Sequence, residues 1–259
     1  MKRLILSLIS ILFISLHIFS VEPLLNIGTT AKAKSWKLIW SDEFNNKANI
    51  DSNWIAQNAP VKELLCGRWR KNAVIKNGKL YIQNKKENKE GQEWTSASLT
   101  SKKKFKYGYF ECRLKIAKST GINNTFWLNS YAKYPNNYFE IDIVEAHYPN
   151  WIQTNVHDWG NRKVKYHKSA GEKYISSENL SDKFHVYGLE WNEKELNFYL
   201  DGKLIRSKNN DICHDLASVI IGCAIMEWAG EISDSINGTS MIVDYVRVFN
   251  SVQDKFTSK

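Results

Sequence analysis

The most concentrated chemistry in this chain lies in six consecutive residues, Glu-Ile-Asp-Ile-Val-Glu, at positions 140–145. In a β-strand, alternate side chains point to opposite faces, so Glu140 and Asp142 share one face. Strict alternation would place Glu145 on the opposite, apolar face. The adjacent apolar pair Ile143-Val144 indicates a β-bulge, and a bulge re-aims the side chains that follow it. We therefore predict three carboxylates on one face.

Two of these three crowded carboxyl groups could act as an acid–base pair. Like charges disfavour ionisation, so at least one pKa should be raised. Retaining glycosidases use one ionised carboxylate as nucleophile and one protonated carboxyl as acid, about 5–5.5 Å apart. The Cα atoms of Glu140 and Glu145 should lie roughly 13 Å apart at about 3.3 Å per strand step, a gap that two inclined side chains can close. The alternative is a solvated acidic strand face, although acids are depleted in strands.

The elements that must position these acids are predicted to be strands. Short runs rich in Val, Ile and aromatic residues are separated by turn residues, with no long helical periodicity. Hairpin turns are predicted at Asn77-Gly78, at residues 192–194 and at Asp201-Gly202. Residues 110–116 alternate between apolar and polar, which places Cys112 in the core. Evenly spaced strands are typical of an all-β sandwich or barrel.

The N-terminus has the pattern of a secretory signal peptide, with a basic start followed by an apolar run over residues 4–19. Cleavage could follow Ser20 or the Ala-Lys-Ala sequence at 31–33, and an uncleaved anchor is the alternative. No later apolar run is long enough to span a membrane. We expect a secreted or periplasmic protein organised as a leader (1–33), one catalytic domain (34–251) and a polar tail (252–259).

Cysteine content and charge leave several alternatives open. In an exported protein, four cysteines suggest disulfides, but three pairings are possible, and Cys213 and Cys223 could close a small loop. No Cys/His spacing suggests zinc. The formal net charge of +9 could attract an anionic polymer or form a solvated coat. No nucleic-acid motif accompanies the lysines, so we expect no nucleic-acid partner.

The acidic motif and several other segments, in order from about residue 36 to 250, resemble glycoside hydrolase family 16. The family signature is E-x-D-x-x-E in its bulged form. The matching segments are Trp40-Ser41-Asp42-Glu43-Phe44, Tyr107-Gly108-Tyr109-Phe110-Glu111, Thr125-Phe126-Trp127-Leu128, residues 184–191 and residues 243–248.

The resemblance implies a β-jelly-roll of two stacked antiparallel sheets with a concave substrate cleft. It also implies that Glu140 is the nucleophile, Glu145 the acid/base and Asp142 a tuning residue. The implied activity is a retaining endo-β-glycanase on β-1,3- or mixed β-1,3/1,4-glucan, with no cofactor required. The alternatives are an endo-galactanase for agar-, porphyran- or carrageenan-type polymers, a transglycosylase and an inactive carbohydrate-binding protein. We expect a monomer whose partner is the polysaccharide.

Residues expected to bind substrate are mainly aromatic, because sugars stack on indole rings and the chain has ten tryptophans. Each of these residues could equally belong to the core or to the plain surface. The candidates are Trp127, Trp191, Trp69, Trp94, His157, His147 and Arg113. By the same resemblance, Asp244 and Gly78 match a structural calcium position, and a plain surface aspartate is the alternative.

Overall fold

The computed structural model of the protein describes residues 36–130, 138–161 and 163–251. The predicted leader and tail, residues 1–33 and 252–259, lie outside the described residues. Within those residues no helix has the length and apolar character needed to cross a membrane.

The described residues form nineteen strands, which are short, rich in β-branched and aromatic residues, and bounded by turns. In chain order they are β1 (Trp36–Asp42), β2 (Trp54–Ala56), β3 (Cys66–Arg68), β4 (Ala73–Lys76), β5 (Lys79–Gln83), β6 (Lys85–Lys89), β7 (Gln92–Ser96), β8 (Ser98–Phe105), β9 (Gly108–Lys115), β10 (Ile122–Asn129), β11 (Phe139–His147), β12 (Trp151–Gly160), β13 (Lys165–Ser169), β14 (Glu172–Ile175), β15 (His185–Trp191), β16 (Glu195–Leu200), β17 (Lys203–Asn209), β18 (Ala217–Ile225) and β19 (Ser240–Ser251). Helix α1 (Asn49–Asn53) and 3₁₀ turns at Arg70–Asn72, Glu227–Ala229 and Asp234–Ile236 complete the described elements.

Two large antiparallel sheets contain most of these strands. The first sheet has the order β17-β16-β15-β9-β19-β5-β4, with β1 also paired to β19. The second has the order β13-β12-β11-β10-β18-β8-β2, with β14 also paired to β12. A small third sheet joins β3, β7 and β6. The predicted all-β sandwich of two antiparallel sheets is confirmed, and the acidic motif lies on β11 of the second sheet.

Large side chains from both sheets meet in a shared core. The ring of Phe139 on β11 lies 5.7 Å from that of Trp191 on β15, and Phe110 on β9 lies 5.9 Å from the same indole. Burying a side chain such as Phe139 stabilises the fold by about 1.5–3 kcal/mol. The inner face of β11 is therefore fixed by packing, which leaves its polar face outward.

Hairpin turns occur where the sequence predicts them. Asn77 and Gly78 have φ values of +52° and +66°, and Asp201 and Gly202 have +49° and +78°. Two consecutive left-handed residues match the twist of the strands that they join, which is why Asn-Gly and Asp-Gly are favoured there. The third predicted turn joins β15 to β16, where Asn192 accepts hydrogen bonds from two backbone N–H groups of the turn.

All four cysteines are buried free thiols. Cys112 is fully buried, as its strand alternation predicts. Cys213 and Cys223, which could have closed a small loop, lie in separate surroundings. The carbonyl of Cys213 accepts a hydrogen bond from Trp191, whereas Sγ of Cys223 lies 3.7 Å from the side-chain oxygen of Asn124.

Candidate active site

The acidic strand β11 contains the predicted bulge. Against β10, the register shifts between Phe126 and Trp127, and Ile143 is the residue left over. Against β12, Ile143 and its successor lie opposite the single residue Thr154. One extra residue restores the alternation for the side chains that follow, so Glu145 returns to the face of the two earlier acids.

The three acids line a common cleft of about 430 Å³ on the outer face of the second sheet. The apolar residues between them, Ile141, Ile143 and Val144, turn inward and are at most 2% exposed. The side chains around the cleft come from several strands and loops: Leu64, Arg68, Asn123, Thr125, Trp127, Glu140, Asp142, Glu145, Gln153, Asn155, His157, Ala224, Met226 and Trp228.

Burial raises the pKa of all three carboxyl groups. The pKa of Glu140 rises to about 8, first through burial and then through the charge of Asp142. The pKa of Asp142 is raised by burial and by the charge of Glu145. For Glu145, burial raises the pKa and a hydrogen bond from Asn123 lowers it part of the way. Groups that interact this strongly titrate as a set, so the cluster retains at least one proton at neutral pH.

Two asparagines of β10 hold the outer acids. Nδ2 of Asn123 donates a 2.7 Å hydrogen bond to Oε1 of Glu145, and Nδ2 of Asn129 donates a 3.2 Å bond to Oε2 of Glu140. Sequence reasoning missed both asparagines. The alternation of β10 could have indicated them. When β10 pairs with β11, its odd-numbered residues lie on the same face of the sheet as the acids.

Two of the predicted substrate contacts, Trp127 and His157, line the cleft. Nε2 of His157 lies 3.0 Å from Oδ2 of Asp142 and 3.9 Å from Oε1 of Glu140. Trp127 is opposite Asp142 in the strand register. The structure therefore brings an imidazole and an indole against the acids, and their contact with substrate remains a prediction.

Three of the predicted tryptophan contacts lie away from the cleft. Trp191 is 1% exposed and packs between the two large sheets, and Trp69 and Trp94 are 4% and 2% exposed. The ammonium group of Lys89 covers the ring of Trp69 at 3.4 Å from its centroid. These predictions are wrong because an indole ring fills a core as readily as it stacks on a sugar.

Arg113 and His147 also lie away from the substrate surface. Arg113 belongs to β9 of the first sheet, where it pairs with Asp244. His147 is fully buried, with its ring stacked 3.8 Å from that of Trp151. Burial lowers the pKa of His147 to about 3, so it is a neutral supporting ring.

An aromatic residue that the sequence analysis missed lies at the edge of the cleft. Trp228 is 47% exposed and follows β18 in a short 3₁₀ turn. Its ring lies 4.7 Å from that of His147 and 6.2 Å from that of Trp151. An exposed indole supported by the buried ring of His147 and the half-buried ring of Trp151 is a suitable platform for an apolar sugar face. Its position in a loop gave no periodic signal.

The residues predicted to hold a structural calcium ion do not fit one. Oδ2 of Asp244 accepts a hydrogen bond from Arg113, and Oδ1 lies 3.3 Å from Nζ of Lys79. Both cationic groups also lie over the ring of Phe184. Calcium prefers several oxygen ligands, and at Asp244 two cationic side chains already balance the carboxylate. The partner position, Gly78, serves the β4–β5 turn.

The stability of the protein should therefore not depend on calcium. We expect about 1 mM calcium chloride and about 1 mM EDTA to give melting temperatures within about 1 °C of each other. An ion present at 100 times its Kd would add about 2.7 kcal/mol of stability, which is several degrees for a domain of this size. Scanning calorimetry in the two buffers measures the difference. A calcium-dependent rise that Asp244→Asn abolishes would contradict this expectation.

Two groups of imidazole and carboxylate side chains in the described part of the chain bring potential ligand atoms within 4.8 Å of one another. One contains Glu178, His185 and Asp201, where Nδ1 of His185 lies 2.7 Å from the Asp201 carboxylate and Lys183 pairs with Glu178. The other is the cleft cluster, where the acids of β11 meet His157. Both arrangements contain close ion pairs, and we assign no metal to either.

Comparisons with known proteins agree with this geometry. The family model described as glycosyl hydrolases family 16 matches residues 64–247. The chain is 30% identical over 245 residues to the clotting factor G alpha subunit of Tachypleus tridentatus, covering 86% of this chain and 35% of that protein. It is 26% identical over 257 residues to a beta-glucanase of Rhodothermus marinus, covering 86% and 88% of the two chains.

Two further similarities bear on the site. The chain is 27% identical over 257 residues to a kappa-carrageenase of Pseudoalteromonas carrageenovora, covering 82% of this chain and 64% of that one. Among solved structures, the endo-beta-1,3-glucanase of Pyrococcus furiosus superposes with a TM-score of 0.75 at 25% identity, covering 86% of this chain and 97% of that chain. The chain thus spans between about a third and nine tenths of the length of these curated relatives.

Proposed function

The chain belongs to glycosyl hydrolase family 16, and we propose that it is a retaining endo-β-glycanase that cleaves β-1,3- or mixed β-1,3/1,4-linked glucan. The observation that carries this proposal is the bulge of β11, which gathers Glu140, Asp142 and Glu145 on one wall of an open cleft. A crowded set of buried carboxyl groups that holds both a proton and a charge is what a double displacement at an acetal requires.

In the proposed reaction, Glu140 attacks the anomeric carbon while Glu145 donates its proton to the departing oxygen. The glycosidic C–O bond breaks as the C–O bond to Glu140 forms. Glu145, now ionised, removes a proton from water, and the water oxygen displaces Glu140 from the same carbon. Two inversions at one carbon retain the β configuration.

Asp142 tunes this exchange through its proximity to the nucleophile. The charge of Asp142 raises the pKa of Glu140, whereas a hydrogen bond with Glu140 lowers the pKa of Asp142, so the two groups share a proton in the resting site. His157 lies 3.0 Å from Asp142, and its positive charge lowers the pKa of Glu140. When Glu140 becomes an ester its charge disappears, and the electrostatic cost of the crowded cluster falls.

The hydrogen bond from Asn123 should set the alkaline limit of activity. Because donation from Nδ2 favours the ionised form of Glu145, it lowers the pKa of that carboxyl group. Removing the donor in Asn123→Ala should raise this pKa, and the loss of one hydrogen bond corresponds to a displacement of the pH profile by about half to one pH unit. Glu145 must be protonated at the start of the reaction, so the alkaline limb of kcat/KM should move to higher pH.

Asn129→Ala is the matched variant for this pH-profile measurement. It removes a donor from Glu140 rather than from Glu145, so the alkaline limb should stay in place while the acidic limb moves. The assignment of Glu145 as the acid would be contradicted if the alkaline limb of kcat/KM did not move in Asn123→Ala, or moved equally in both variants.

The cleft lining favours a neutral polymer. Arg68 is the one lysine or arginine among the described side chains that line it, against three carboxylates. A sulfated sugar bound beside these acids would meet repulsion. Two of the relatives reported above are named as a beta-glucanase and an endo-beta-1,3-glucanase, which agrees with glucan.

The second candidate is an endo-galactanase for sulfated or agar-type polymers. Arg68 could pair with a sulfate, the chain has a net charge of +9, and one relative is named as a kappa-carrageenase. Measuring reducing ends released from laminarin, lichenan, agarose, porphyran and κ-carrageenan separates the two candidates. Fastest release from either glucan is the expected result, and release confined to a galactan would reject the glucan proposal.

We also propose that residues 1–33 direct export and are removed, which leaves residues 34–251 as the catalytic domain. The support is the basic start and apolar run of the leader. Mass spectrometry of the protein recovered outside the producing cell gives the mature N-terminus. A full-length chain retained inside the cell would contradict this proposal.

A further inference from the structure

A second histidine extends the cluster of acids toward solvent. Nδ1 of His157 lies 2.8 Å from Nε2 of His167 on β13. The other nitrogen of His157, Nε2, faces Oδ2 of Asp142 at 3.0 Å and Oε1 of Glu140 at 3.9 Å. The His157 side chain is 16% exposed, whereas His167 is exposed. The path therefore runs from buried carboxylates through two imidazoles to water.

The geometry of β12 and β13 holds the two imidazoles in line. The strands pair with a register shift between Asp158 and Gly160, which sets Trp159 beside His167. The ring of Trp159 stacks on that of His167 at 3.8 Å and 9°, and the two imidazole planes differ by 15°. Stacking on one face and a hydrogen bond at one edge leave the His167 ring little freedom.

This arrangement constrains where the proton of His157 resides. A neutral imidazole has one N–H and one acceptor nitrogen, and an ionised carboxylate only accepts. Nε2 of His157 lies 3.0 Å and 3.9 Å from oxygens of two acids that hold a negative charge between them, so the electrostatics favour a hydrogen on Nε2. Nδ1 must then accept from His167 when His157 is neutral, or donate to His167 when His157 is cationic. In both states Nε2 of His157 lies on the side of the ring that is nearest the acids.

We propose that His167 is a positioning residue that holds His157 in the tautomer and orientation that present Nε2–H to Asp142 and Glu140. This inference rests on the proposed function for its catalytic consequence. The orientation itself is a property of the free protein. His167 makes no contact with the acids, so it acts through His157.

The position of His157 should affect the pH range of activity, because its charge acts on the two catalytic glutamates. Its positive charge lowers the pKa of both Glu140 and Glu145. His167 holds the His157 ring in the position from which that charge acts on the two glutamates. Loss of His167 should therefore raise the pKa of Glu140 and move the acidic limb of kcat/KM to higher pH. The other charged groups around this path are Asp142 on β11, Asp158 on β12, Lys168 on β13 and Arg68 on β3.

The test compares His167→Ala, His167→Gln and Tyr166→Phe. In His167→Ala we expect kcat to fall about fivefold to tenfold, on the scale of one lost hydrogen bond, and the acidic limb to rise by about half a pH unit or more. Glutamine offers both a donor and an acceptor, so His167→Gln should recover most of both changes. Tyr166 lies beside His167 on β13 and donates a hydrogen bond to Asp158 of β12. Tyr166→Phe removes this bond and should leave the acidic limb in place.

A second readout on the free protein does not require activity. Long-range ¹H–¹⁵N correlation spectra report which nitrogen of His157 carries the hydrogen. The wild type should show the Nε2–H form, and His167→Ala should show a mixture of tautomers with a shifted ring environment. The proposal would be overturned if His157 kept its wild-type tautomer in His167→Ala and the pH profile of kcat/KM did not change. If the glycanase assignment failed, the tautomer spectra would still decide the role of His167.

Discussion

Glu140→Gln should lose polysaccharide cleavage by roughly 10⁴-fold or more, the scale expected when a catalytic nucleophile is removed. Glutamine keeps the size of the side chain and its bond from Asn129, but its amide cannot form the glycosyl ester. Release of reducing ends from the preferred glucan measures the loss. The same substitution should stabilise the folded protein at alkaline pH, because it removes a charge that burial makes unfavourable.

The sign of the stability effect follows from the raised pKa of Glu140. Its pKa is about 8 in the folded protein against 4.5 for the unperturbed group. Ionisation therefore costs more in the folded state, and stability is lost as the pH rises from 4.5 through 8. At pH 9 Glu140→Gln should gain roughly 1–3 kcal/mol, allowing for coupling to Asp142, and its melting temperature should rise by several degrees. Near pH 4.5 the gain should disappear.

Glu193→Gln provides the control, since Glu193 is an exposed glutamate in the β15–β16 turn. It should change neither activity nor the pH dependence of the melting temperature. Residual wild-type activity in Glu140→Gln would remove the nucleophile assignment. A lower melting temperature than wild type at pH 9 would show that the buried charge is stabilised rather than tolerated.

Glu145→Ala should separate the two steps of the reaction. Without the acid, cleavage of a polysaccharide should slow by about 10²–10⁴-fold, the usual contribution of general acid catalysis. An oligoglucoside with a dinitrophenolate leaving group needs no proton on departure, so the first step should survive. The second step lacks its base, and the covalent intermediate should accumulate as a burst of released phenolate.

Azide is the diagnostic rescue reagent for Glu145→Ala. It needs no base and can occupy the space left by the missing carboxylate, so it should restore turnover and give a β-glycosyl azide. In Glu140→Ala, azide attacks the substrate directly and should give the α-glycosyl azide. Identical azide anomers from the two variants would show that the roles of the two glutamates are wrongly assigned.

Local patterns predicted the acidic strand well. One break in the alternation of β11 was enough to predict the bulge, because a strand has a period of two and an added residue reverses it. The same reasoning located the Asn-Gly and Asp-Gly hairpins, whose left-handed residues carry their own sequence signal. These features depend on neighbours a few residues apart.

Predictions about substrate contacts failed where they depended on which face of a strand lies toward the cleft, the core or solvent. Alternation gives two faces for β9 and β15 but does not say that Arg113 faces solvent away from the cleft or that Trp191 faces the core. Trp228 and His167 lie in a loop and on an exposed edge strand without apolar alternation. Their position depends on pairing with distant strands, which no local pattern in the sequence records.

The most direct test of the central claim is trapping of the covalent intermediate, followed by peptide mapping. A 2-deoxy-2-fluoro oligoglucosyl fluoride forms the glycosyl ester and slows its hydrolysis, so the modified residue can be identified by mass spectrometry. The label should lie on Glu140, with Asp142 and Glu145 in the same peptide unmodified. A label on either of those two residues, or on an acid outside β11, would contradict the account.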